Sequence, residues 1–507
     1  MKKTLLLFSA SLYFVTQFAN AQAGAFDTSF GINGMAKVLP GNLWNINLQP
    51  DGKIVSVGQL AVGTGPDRFI VTRCLADGSP DTDFGTNGQK ATLVGAKSGA
   101  FGGIVQPDGK IIAVGYTSTT TDNFGDFDII AARYTTTGDL DTTFGVNGIF
   151  SFPREGGDGA NAVDLQADGK IVIAGKAGGN VIIIRLMPNG SLDTSFNQTG
   201  YVITNTAGYG EMFAVKVLTD GSILAAGRNG NDAIVYKYNS DGSAFQGFGT
   251  AGKVTVPNMT GITLIYNFAV LSNDDFIVVG GNMGTSKYNS FMAKFTAQGV
   301  LVTGFGTSGL LIEDGGAGIS SQARDIAVSN NKIIVGHGYG PASNYDFKVS
   351  RYDLNGVPDV TFGTNGNVIF NLGSANIHDY LKEVKVQPDG KIVIGGRGFN
   401  GGFTLVRLLQ EEQELGLGAV ALNKNNIKVF PNPITQNSKL EFTLNSDVAV
   451  TVDLFDVKGA FVKTLLKDKR VIAGTTATDV QLPELEHGVY FLKITGNGIS
   501  KTLKVIK

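Results

Sequence analysis

Candidate catalytic residues are few and scattered in this chain. It has three histidines, His337, His378 and His487, and a single cysteine, Cys74. The spacing of the histidines does not fit a zinc site, and no nucleophile elbow is present. The most reactive-looking cluster is His378-Asp379-Tyr380. We expect an ordinary loop there, with a proton-transfer centre as the alternative.

Glycine-rich strings and acidic clusters also suggest chemistry at first sight. Three G-x-G-x-x-G strings occur, at Gly247–Gly252, Gly304–Gly309 and Gly396–Gly401. None opens a helix, as dinucleotide binding requires, so we predict turns. The clusters Asp77/Asp81/Asp83 and Asp126/Asp128 do not recur in register, which favours turn and ion-pair roles over calcium. The sequence therefore predicts no catalytic, cofactor-binding or metal-binding residue.

Aromatic side chains beside variable loops are candidates for stacking on sugars or peptides. They are Trp44, Tyr116, Tyr209, Tyr339 and Tyr345. The longest variable stretches are Tyr116–Phe127 and Gly336–Asp346. Variable loops of a repeat array often form its binding face.

The elements that position these residues belong to a repeat. The motif Asp-x-x-Phe-Gly-x-x-Gly recurs with small lapses 52 to 60 residues apart. Its phenylalanines are Phe30, Phe84, Phe144, Phe196, Phe248, Phe305 and Phe362. Between copies, apolar runs alternate with Asp-Gly and Asn-Gly turns, which favours four antiparallel strands per unit. We predict an all-β protein with a seven-bladed β-propeller of four-stranded antiparallel blades, followed by a small C-terminal β-sandwich.

A basic residue marks the third strand of each unit. The seven are Arg73, Arg133, Arg185, Lys237, Lys294, Arg351 and Arg407. Eight residues later stand Asp81, Asp141, Asp193, Phe245, Val302 and Asp359, so Asp is absent only where Lys replaces Arg. This joint loss predicts a bidentate Arg–Asp clamp, with ligand contact by the Arg ring as the alternative. Arg407 and Asp27 are orphan halves, so we expect Phe26–Leu39 to complete the last blade beside Gly402–Leu409.

Four segments are predicted along the chain. Residues 1–21 have the pattern of a signal peptide, with two lysines, an apolar run and cleavage near Ala21. Residues 22–410 form the propeller, 411–425 a linker and 426–507 the sandwich. Seven short strands are expected in the sandwich, one of them at Val480–Leu482. Cys74 is expected to be buried in its strand, and no disulfide within the chain is possible.

The charge balance and the lengths of the apolar runs indicate which kinds of partner this protein has. Charge is balanced, with 41 basic and 43 acidic residues, which does not favour nucleic-acid binding. No apolar run after the N-terminal segment reaches the length of a membrane-spanning helix, so no integral membrane span is expected.

Two family resemblances follow from these motifs. Gln106-Pro-Asp-Gly-Lys-Ile-Ile-Ala-Val-Gly115, Arg133-Tyr134 and Leu140-Asp-Thr-Thr-Phe-Gly145 resemble the delta-60 repeats of bacterial propellers, with degenerate fourth and fifth units. That family has no settled activity. Val429-Phe-Pro-Asn-Pro433, Leu454-Phe-Asp-Val-Lys-Gly459 and Leu485–Ile494 resemble the type A C-terminal sorting domain of type IX secretion. This resemblance implies a Bacteroidetes-type source, export through the type IX machinery by residues 426–507, and an extracellular or outer-membrane-surface location.

Three functions remain open. The first is a non-catalytic binding scaffold for a glycan or protein ligand, with no cofactor. The second is a secreted carbohydrate-active lyase or hydrolase with its site in the propeller channel. The third is a structural adhesin. Propellers host both binding and catalysis, so the fold does not decide. We found no converging titratable residues in the repeats, which favours binding.

Overall fold

The computed structural model describes most of the chain after the N-terminal segment. The described residues are 22–62, 65–121, 126–154, 156–206, 208–284, 287–341, 344–372, 379–397, 402–410, 426–431, 433–435, 438–444, 447–457, 460–472, 474–480, 482–496 and 499–507. They belong to two compact units, one within Ala21–Gln413 and the other within residues 414–507. The predicted signal peptide (1–21) and linker (411–425) lie outside the described residues.

The larger unit consists of short strands. They are β1 (Met35–Pro40), β2 (Asn42–Leu48), β3 (Ile54–Val62), β4 (Gly65–Cys74), β5 (Gln89–Thr92), β6 (Lys97–Val105), β7 (Ile111–Ser118), β8 (Phe127–Tyr134), β9 (Ile149–Phe152), β10 (Gly159–Leu165), β11 (Ile171–Ala177), β12 (Asn180–Leu186), β13 (Tyr201–Thr204), β14 (Gly210–Val217), β15 (Ile223–Asn229), β16 (Asp232–Tyr238), β17 (Lys253–Thr255), β18 (Ile262–Val270), β19 (Phe276–Met283), β20 (Tyr288–Phe295), β21 (Leu310–Glu313), β22 (Ile319–Ser329), β23 (Lys332–Pro341), β24 (Asp346–Asp353), β25 (Asn367–Phe370), β26 (Tyr380–Val386), β27 (Ile392–Arg397) and β28 (Gly402–Leu408).

These strands form seven four-stranded antiparallel sheets in the part of the unit that the structure describes. We call them blades one to seven in chain order. Blades one to six are β2–β5, β6–β9, β10–β13, β14–β17, β18–β21 and β22–β25, and blade seven is β26-β27-β28-β1. The first strands of successive blades contact one another, and β26 contacts β2, so the ring of blades is closed. The predicted all-β propeller fold is confirmed.

The core lies between neighbouring blades. The motif phenylalanines are at most 1% exposed and pack with apolar strand residues. Phe144 of blade two, for example, belongs to one cluster with Ile112 and Ile129 of its own blade and Ile171 and Ile182 of blade three. Each blade therefore buries its apolar faces against the next one.

Chain closure occurs in blade seven. Strand β1 pairs antiparallel with β28, with Met35 opposite Val406 and Pro40 opposite Gly402. Nε of Arg407 donates to Oδ2 of Asp27 at 2.7 Å. The predicted closure by the two orphan halves is confirmed.

The smaller unit contains seven strands among its described residues. They are β29 (Asn426–Phe430), β30 (Lys439–Leu444), β31 (Val448–Asp456), β32 (Phe461–Val471), β33 (Gly474–Asp479), β34 (Val489–Gly496) and β35 (Ile499–Ile506). They form a three-stranded sheet, β29-β30-β33, and a four-stranded sheet, β32-β31-β34-β35, around one shared core. The strand predicted at Val480–Leu482 was wrong, because the paired strand is the preceding Gly474–Asp479. Its Thr-rich, polar sequence gave no apolar signal, although Thr is a good strand former.

Candidate functional site

Every blade has a β-bulge at the same point of its first strand. In blade one the register shifts between Leu43 and Asn45, which leaves Trp44 as the extra residue. The equivalent residues of all blades, which we call the bulge ring, are Trp44, Phe101, Asn161, Phe213, Tyr266, Arg324 and Lys382. All seven are half-buried. A bulge re-aims the side chain it carries, so the same device repeats around the centre of the propeller.

The bulge ring surrounds a cavity of about 580 Å³. All seven of its members line this cavity, together with residues on neighbouring positions of the same strands. The volume lies within the range of about 300–1,000 Å³ found for small-molecule sites. We call this cavity the channel mouth. It is the candidate functional site.

A glycine opposite the bulge makes room for it. A Cβ on Gly175 would lie 2.0 Å from the carbonyl oxygen of Gly159 on the facing strand. The residues at this position are Gly58, Gly115, Gly175, Gly227, Gly280, His337 and Gly396. Gly396, predicted to be in a turn, lies in strand β27 for this reason. The other positions of that string that fall at 398–401 lie outside the described residues.

Two aromatic rings flank two cations along part of the channel mouth. The ammonium of Lys382 lies 3.8 Å from the centre of the Trp44 ring, and the guanidinium of Arg324 lies 4.0 Å from that of Tyr266. Trp44 also meets Phe101 edge-on at 5.2 Å. These are cation–π contacts between neighbouring blades. Trp44 and Tyr116, predicted as stacking candidates, both line the cavity.

Carboxylates lie one residue beyond two of the bulges. Asp325 is fully buried and accepts hydrogen bonds from the backbone amides of Ile326 and Val384. Lys385 pairs with Oδ2 of Asp325 at 3.1 Å and also with Glu383. The sequence analysis found no converging titratable residues in the repeats, and this was wrong. The signal was present as Asn267, Asp325 and Glu383 at equivalent positions, which becomes visible only once the bulges set the register.

Burial and charge set the protonation states of this group. Burial, followed by the neighbouring Asp325, raises the pKa of Glu383 to about 8 against the lowering effect of Lys385. Lys385 is also affected by burial, which lowers its pKa, but the carboxylates of Asp325 and Glu383 outweigh this and keep its pKa raised. Burial and the repulsion of Arg324 and Arg397 hold the pKa of Lys382 well below its usual value.

A second polar group stands on another side of the channel mouth. The hydroxyl of Tyr209 donates to Oε2 of Glu211 at 2.6 Å and accepts from Lys176 at 2.9 Å. Asn161 donates to Oε1 of Glu211 at 2.9 Å. Arg228 lies over the Tyr209 ring at 4.1 Å. In this group the cations Lys176 and Arg228 are linked to the carboxylate of Glu211 through Tyr209.

The histidines do not form a catalytic site in the described residues. His337 is buried in blade six, and burial lowers its pKa to about 3, so it is neutral. Its Nδ1 lies 3.5 Å from Oγ of Ser321, which is itself fully buried and inaccessible to a substrate. His378 lies outside the described residues, and Asp379 accepts a hydrogen bond from the amide of Leu372. Of the other stacking candidates, Tyr339 lies in β23 and Tyr345 directly precedes β24. The ammonium of Lys348 lies over the Tyr339 ring.

The acidic clusters have the structural roles predicted for them. Asp77 accepts from Ser79 within its turn, and Asp81 pairs with Arg73. Asp126 and Asp128 accept hydrogen bonds from the backbone amides of Gly156 and Arg154, in the loop between β9 and β10. Within the described ranges, no group of three or more His, Cys, Asp or Glu residues is placed to hold a metal ion.

The Arg–Asp clamps are present, with a different geometry from the one predicted. In blade two, Nε of Arg133 donates to a single oxygen of Asp141 at 2.8 Å rather than bidentately. Nη1 donates to the carbonyl oxygen of Pro188 in the next blade at 2.5 Å, and Nη2 donates to Thr143. The guanidinium lies over the Phe144 ring at 4.7 Å. Each clamp thus joins a hairpin, the motif phenylalanine and the neighbouring blade.

The same Asp pairing and contact with the next blade's backbone recur at Arg73, Arg185, Arg351 and Arg407. A lysine that directly follows the turn before the second strand adds a second cation to each Asp; this turn is Asp-Gly in four of the five blades and Asn330-Asn331 in blade six. These lysines are Lys53, Lys110, Lys170, Lys332 and Lys391. The two units without Asp have Ser222 and Asp275 at this position, a further joint loss that the sequence analysis missed. None of the five arginines lines the channel mouth.

Cys74 is buried, as predicted. Burial, with Asp77 and Asp81, raises the pKa of its thiol to about 12. It is therefore a neutral core residue and not a nucleophile. Among the described residues no helix is long and apolar enough to cross a membrane.

Comparison with known families defines a class for each unit. Residues 428–507 match the secretion system C-terminal sorting domain. Segments 49–84, 106–144, 166–196, 329–362 and 387–410 match the β-propeller domain of unknown function DUF5122. The matched segments omit the fourth and fifth units, which the sequence analysis identified as degenerate. The chain carries a β-propeller and a type IX sorting tail, and it is a secreted or cell-surface protein that uses the type IX secretion machinery.

Solved structures and curated proteins add little beyond the fold. The chain is similar to PorZ, a surface component of the type IX secretion system of Porphyromonas gingivalis, at 11% identity over 92% of this chain and 81% of that chain, with a TM-score of 0.26. It is also similar to the Nup133 β-propeller domain of Vanderwaltozyma polyspora, at 8% identity over 72% of this chain and 100% of that chain, with a TM-score of 0.37. No curated protein matches it.

Proposed function

We propose that this protein is a non-catalytic binding scaffold that holds a glycan ligand in the channel mouth. Residues 1–21 direct export as a signal peptide removed near Ala21, and residues 426–507 direct passage through the type IX route. The propeller is then displayed outside the cell or released. The observation that carries the proposal is the bulge ring, which presents one side chain from every blade to a single cavity.

The composition of the bulge ring supports a glycan. Four of its seven members are aromatic, namely Trp44, Phe101, Phe213 and Tyr266. The other three, Asn161, Arg324 and Lys382, have side chains with hydrogen-bond donor groups. Ligand sites usually combine apolar and aromatic walls with a small number of polar groups that fix orientation. Sugars offer both C–H faces for packing and hydroxyls for hydrogen bonding.

One observation favours the enzymatic alternative. Burial and the neighbouring Asp325 raise the pKa of Glu383, which favours the protonated carboxyl group that a general acid requires. Glu383 lines the cavity, and its partners are Asn45 and Lys385. A lyase or hydrolase would use this group on a glycosidic bond within the channel mouth.

A glycan array probed with the full chain, followed by product analysis, tests both functions. We expect binding without cleavage, and we expect Trp44→Ala to weaken binding because it removes the largest ring of the channel mouth. Lys253→Gln, an exposed change on the outer strand β17, serves as the control and should bind normally. If the chain forms products and Glu383→Gln abolishes their formation, the protein is a carbohydrate-active enzyme and not a binding scaffold. Binding that Trp44→Ala leaves intact would place the ligand elsewhere.

A further inference from the structure

Two cations of adjacent blades meet in the channel mouth without an acidic partner. Arg324 comes from the bulge of blade six and Lys382 from that of blade seven. Within the part of the chain that the structure describes, neither forms an ion pair; Arg324 donates to the neutral Oε1 of Gln322 at 2.5 Å. Both side chains are half-buried and line the cavity. Two neighbouring like charges in a partly desolvated site favour an oppositely charged ligand.

The nearby carboxylates are engaged elsewhere. Asp325 binds Lys385 and two backbone amides. Glu383 binds Lys385 and accepts from Asn45 at 3.1 Å. Burial and the neighbouring Asp325 raise its pKa, which disfavours a negative charge on this side chain. The acidic groups beneath the bulge ring therefore do not neutralise Arg324 and Lys382.

The contrast within the channel mouth sharpens this point. On the opposite blades, Lys176 and Arg228 are grouped with Glu211 through Tyr209. Arg324 and Lys382 instead lie on the rings of Tyr266 and Trp44. An aromatic face attracts a cation but leaves its charge uncompensated and its N–H donors available.

We propose that Arg324 and Lys382 bind the acidic group of an anionic saccharide, a carboxylate or a sulfate, while the aromatic members of the bulge ring pack against its sugar rings. This inference rests on the proposed glycan-binding function and names the ligand class for the same cavity. Guanidinium and ammonium groups form charge-assisted hydrogen bonds with such anions, and Arg324 offers a planar fork suited to two anionic oxygens.

The natural probe of this site is Trp44, because it is the one tryptophan of the sequence. Its fluorescence reports on ligands that reach the channel mouth. We would titrate the full chain with a glucuronate-containing trisaccharide, a sulfated trisaccharide, a neutral trisaccharide of the same linkage and an Asp/Glu-rich peptide. Comparison of the first two ligands shows whether the site binds a carboxylate or a sulfate.

We expect at least one anionic trisaccharide to bind at least tenfold more tightly than the neutral one. Arg324→Gln and Lys382→Gln should each weaken that binding about tenfold. The control Lys253→Gln should leave it unchanged, and circular dichroism and thermal unfolding should show that all variants are folded. Added NaCl should weaken the binding of the anionic trisaccharides and leave that of the neutral one unchanged.

The outcomes separate this inference from the proposed function. Equal affinity for neutral and anionic trisaccharides, unaffected by Arg324→Gln and Lys382→Gln, overturns the inference and leaves glycan binding intact. Binding of the acidic peptide but no saccharide overturns the saccharide class. If no saccharide of this panel changes the Trp44 fluorescence and none binds on the glycan array, both the inference and the proposed glycan-binding function are overturned.

Discussion

Asp27 and Arg407 lie 380 positions apart in the sequence and form a buried ion pair at 2.7 Å. Both residues are at most 6% exposed. Lys391 adds a second cation at 3.0 Å from the same Asp27 oxygen. The pair ties the segment that precedes β1 to β28 and so fastens blade seven, which is built from both ends of the propeller sequence.

Asp27→Asn should destabilise the propeller more than Asp193→Asn. Both changes leave a buried arginine without its carboxylate, which costs about 3 kcal/mol. Only Asp27→Asn also loosens a strand that has no short covalent link to its blade. Urea unfolding measures the difference, and hydrogen exchange should show lost protection in Met35–Pro40. Equal destabilisation by the two variants, with β1 still protected, contradicts the role given to this pair.

The closure should also fail in acid. Burial raises the pKa of Asp27, but Ser29, Lys391 and Arg407 outweigh it and lower the pKa to about 2. A lowered folded-state pKa gives stability that is present above the unfolded value of about 3.9 and is lost as pH falls towards 2. The free energy of unfolding of Asp27→Asn should therefore change less between pH 5 and pH 2 than that of the unmodified chain. Parallel pH curves for the two proteins would refute this.

Arg133→Lys should destabilise the propeller by about 2 kcal/mol. Lysine cannot reproduce three separate hydrogen bonds to Asp141, Pro188 and Thr143. The exposed Arg397→Lys is the matched control and should change stability little. Chemical unfolding of both variants provides the comparison. If both behave alike, the three-way contact of the guanidinium does not stabilise the fold.

Gly175→Ala should be costly, whereas Gly159→Ala on the facing strand should be tolerated. A Cβ at position 175 would lie 2.0 Å from the carbonyl oxygen of Gly159 and 2.9 Å from Cα of Ala160. A Cβ at position 159 meets nothing within 4 Å. We expect a loss of about 2 kcal/mol for the first change and less than about 0.5 kcal/mol for the second. Similar thermal midpoints for the two variants would show that the bulge adapts.

The emission of Trp44 should titrate with the ammonium of Lys382, 3.8 Å from its ring. Burial and the cations Arg324 and Arg397 lower the pKa of Lys382, so the change should have its midpoint well below 10.5. Lys382→Met should remove it. Glu383, Asp325, Lys385 and Tyr380 are the other ionisable neighbours, and Glu383→Gln should keep the transition. An unchanged titration in Lys382→Met assigns it to another group.

The architecture could be predicted from the sequence because one motif recurs in register. The Phe-Gly motif, the Asp-Gly turns and the Arg–Asp pairs each repeat, so an error at one unit is corrected by the others. Even the closure of blade seven followed from two unmatched residues, Asp27 and Arg407. The strand Gly474–Asp479 was missed because nothing repeats in the smaller unit and its residues are polar.

The channel mouth could not be predicted in the same way. Its side chains differ from blade to blade, as in Trp44, Asn161 and Lys382, so they give no repeating signal. What repeats is the backbone: a bulge on β2, β6 and their equivalents, opposite a residue that is glycine in six of the seven blades. That register is a property of strand pairing, and the sequence shows only the glycines.

The pairing of β1 with β28 has a consequence for biogenesis. Met35–Pro40 lies near the start of the propeller sequence and Gly402–Leu408 at its end, so β1 can pair with β28 only when nearly the whole propeller sequence is present. Until then both edges of the growing sheet series remain unsatisfied and open to wrong partners. Pairing of β1 with β28 is thus the step that completes the propeller, and a product truncated before Gly402–Leu408 would leave β1 without its partner strand.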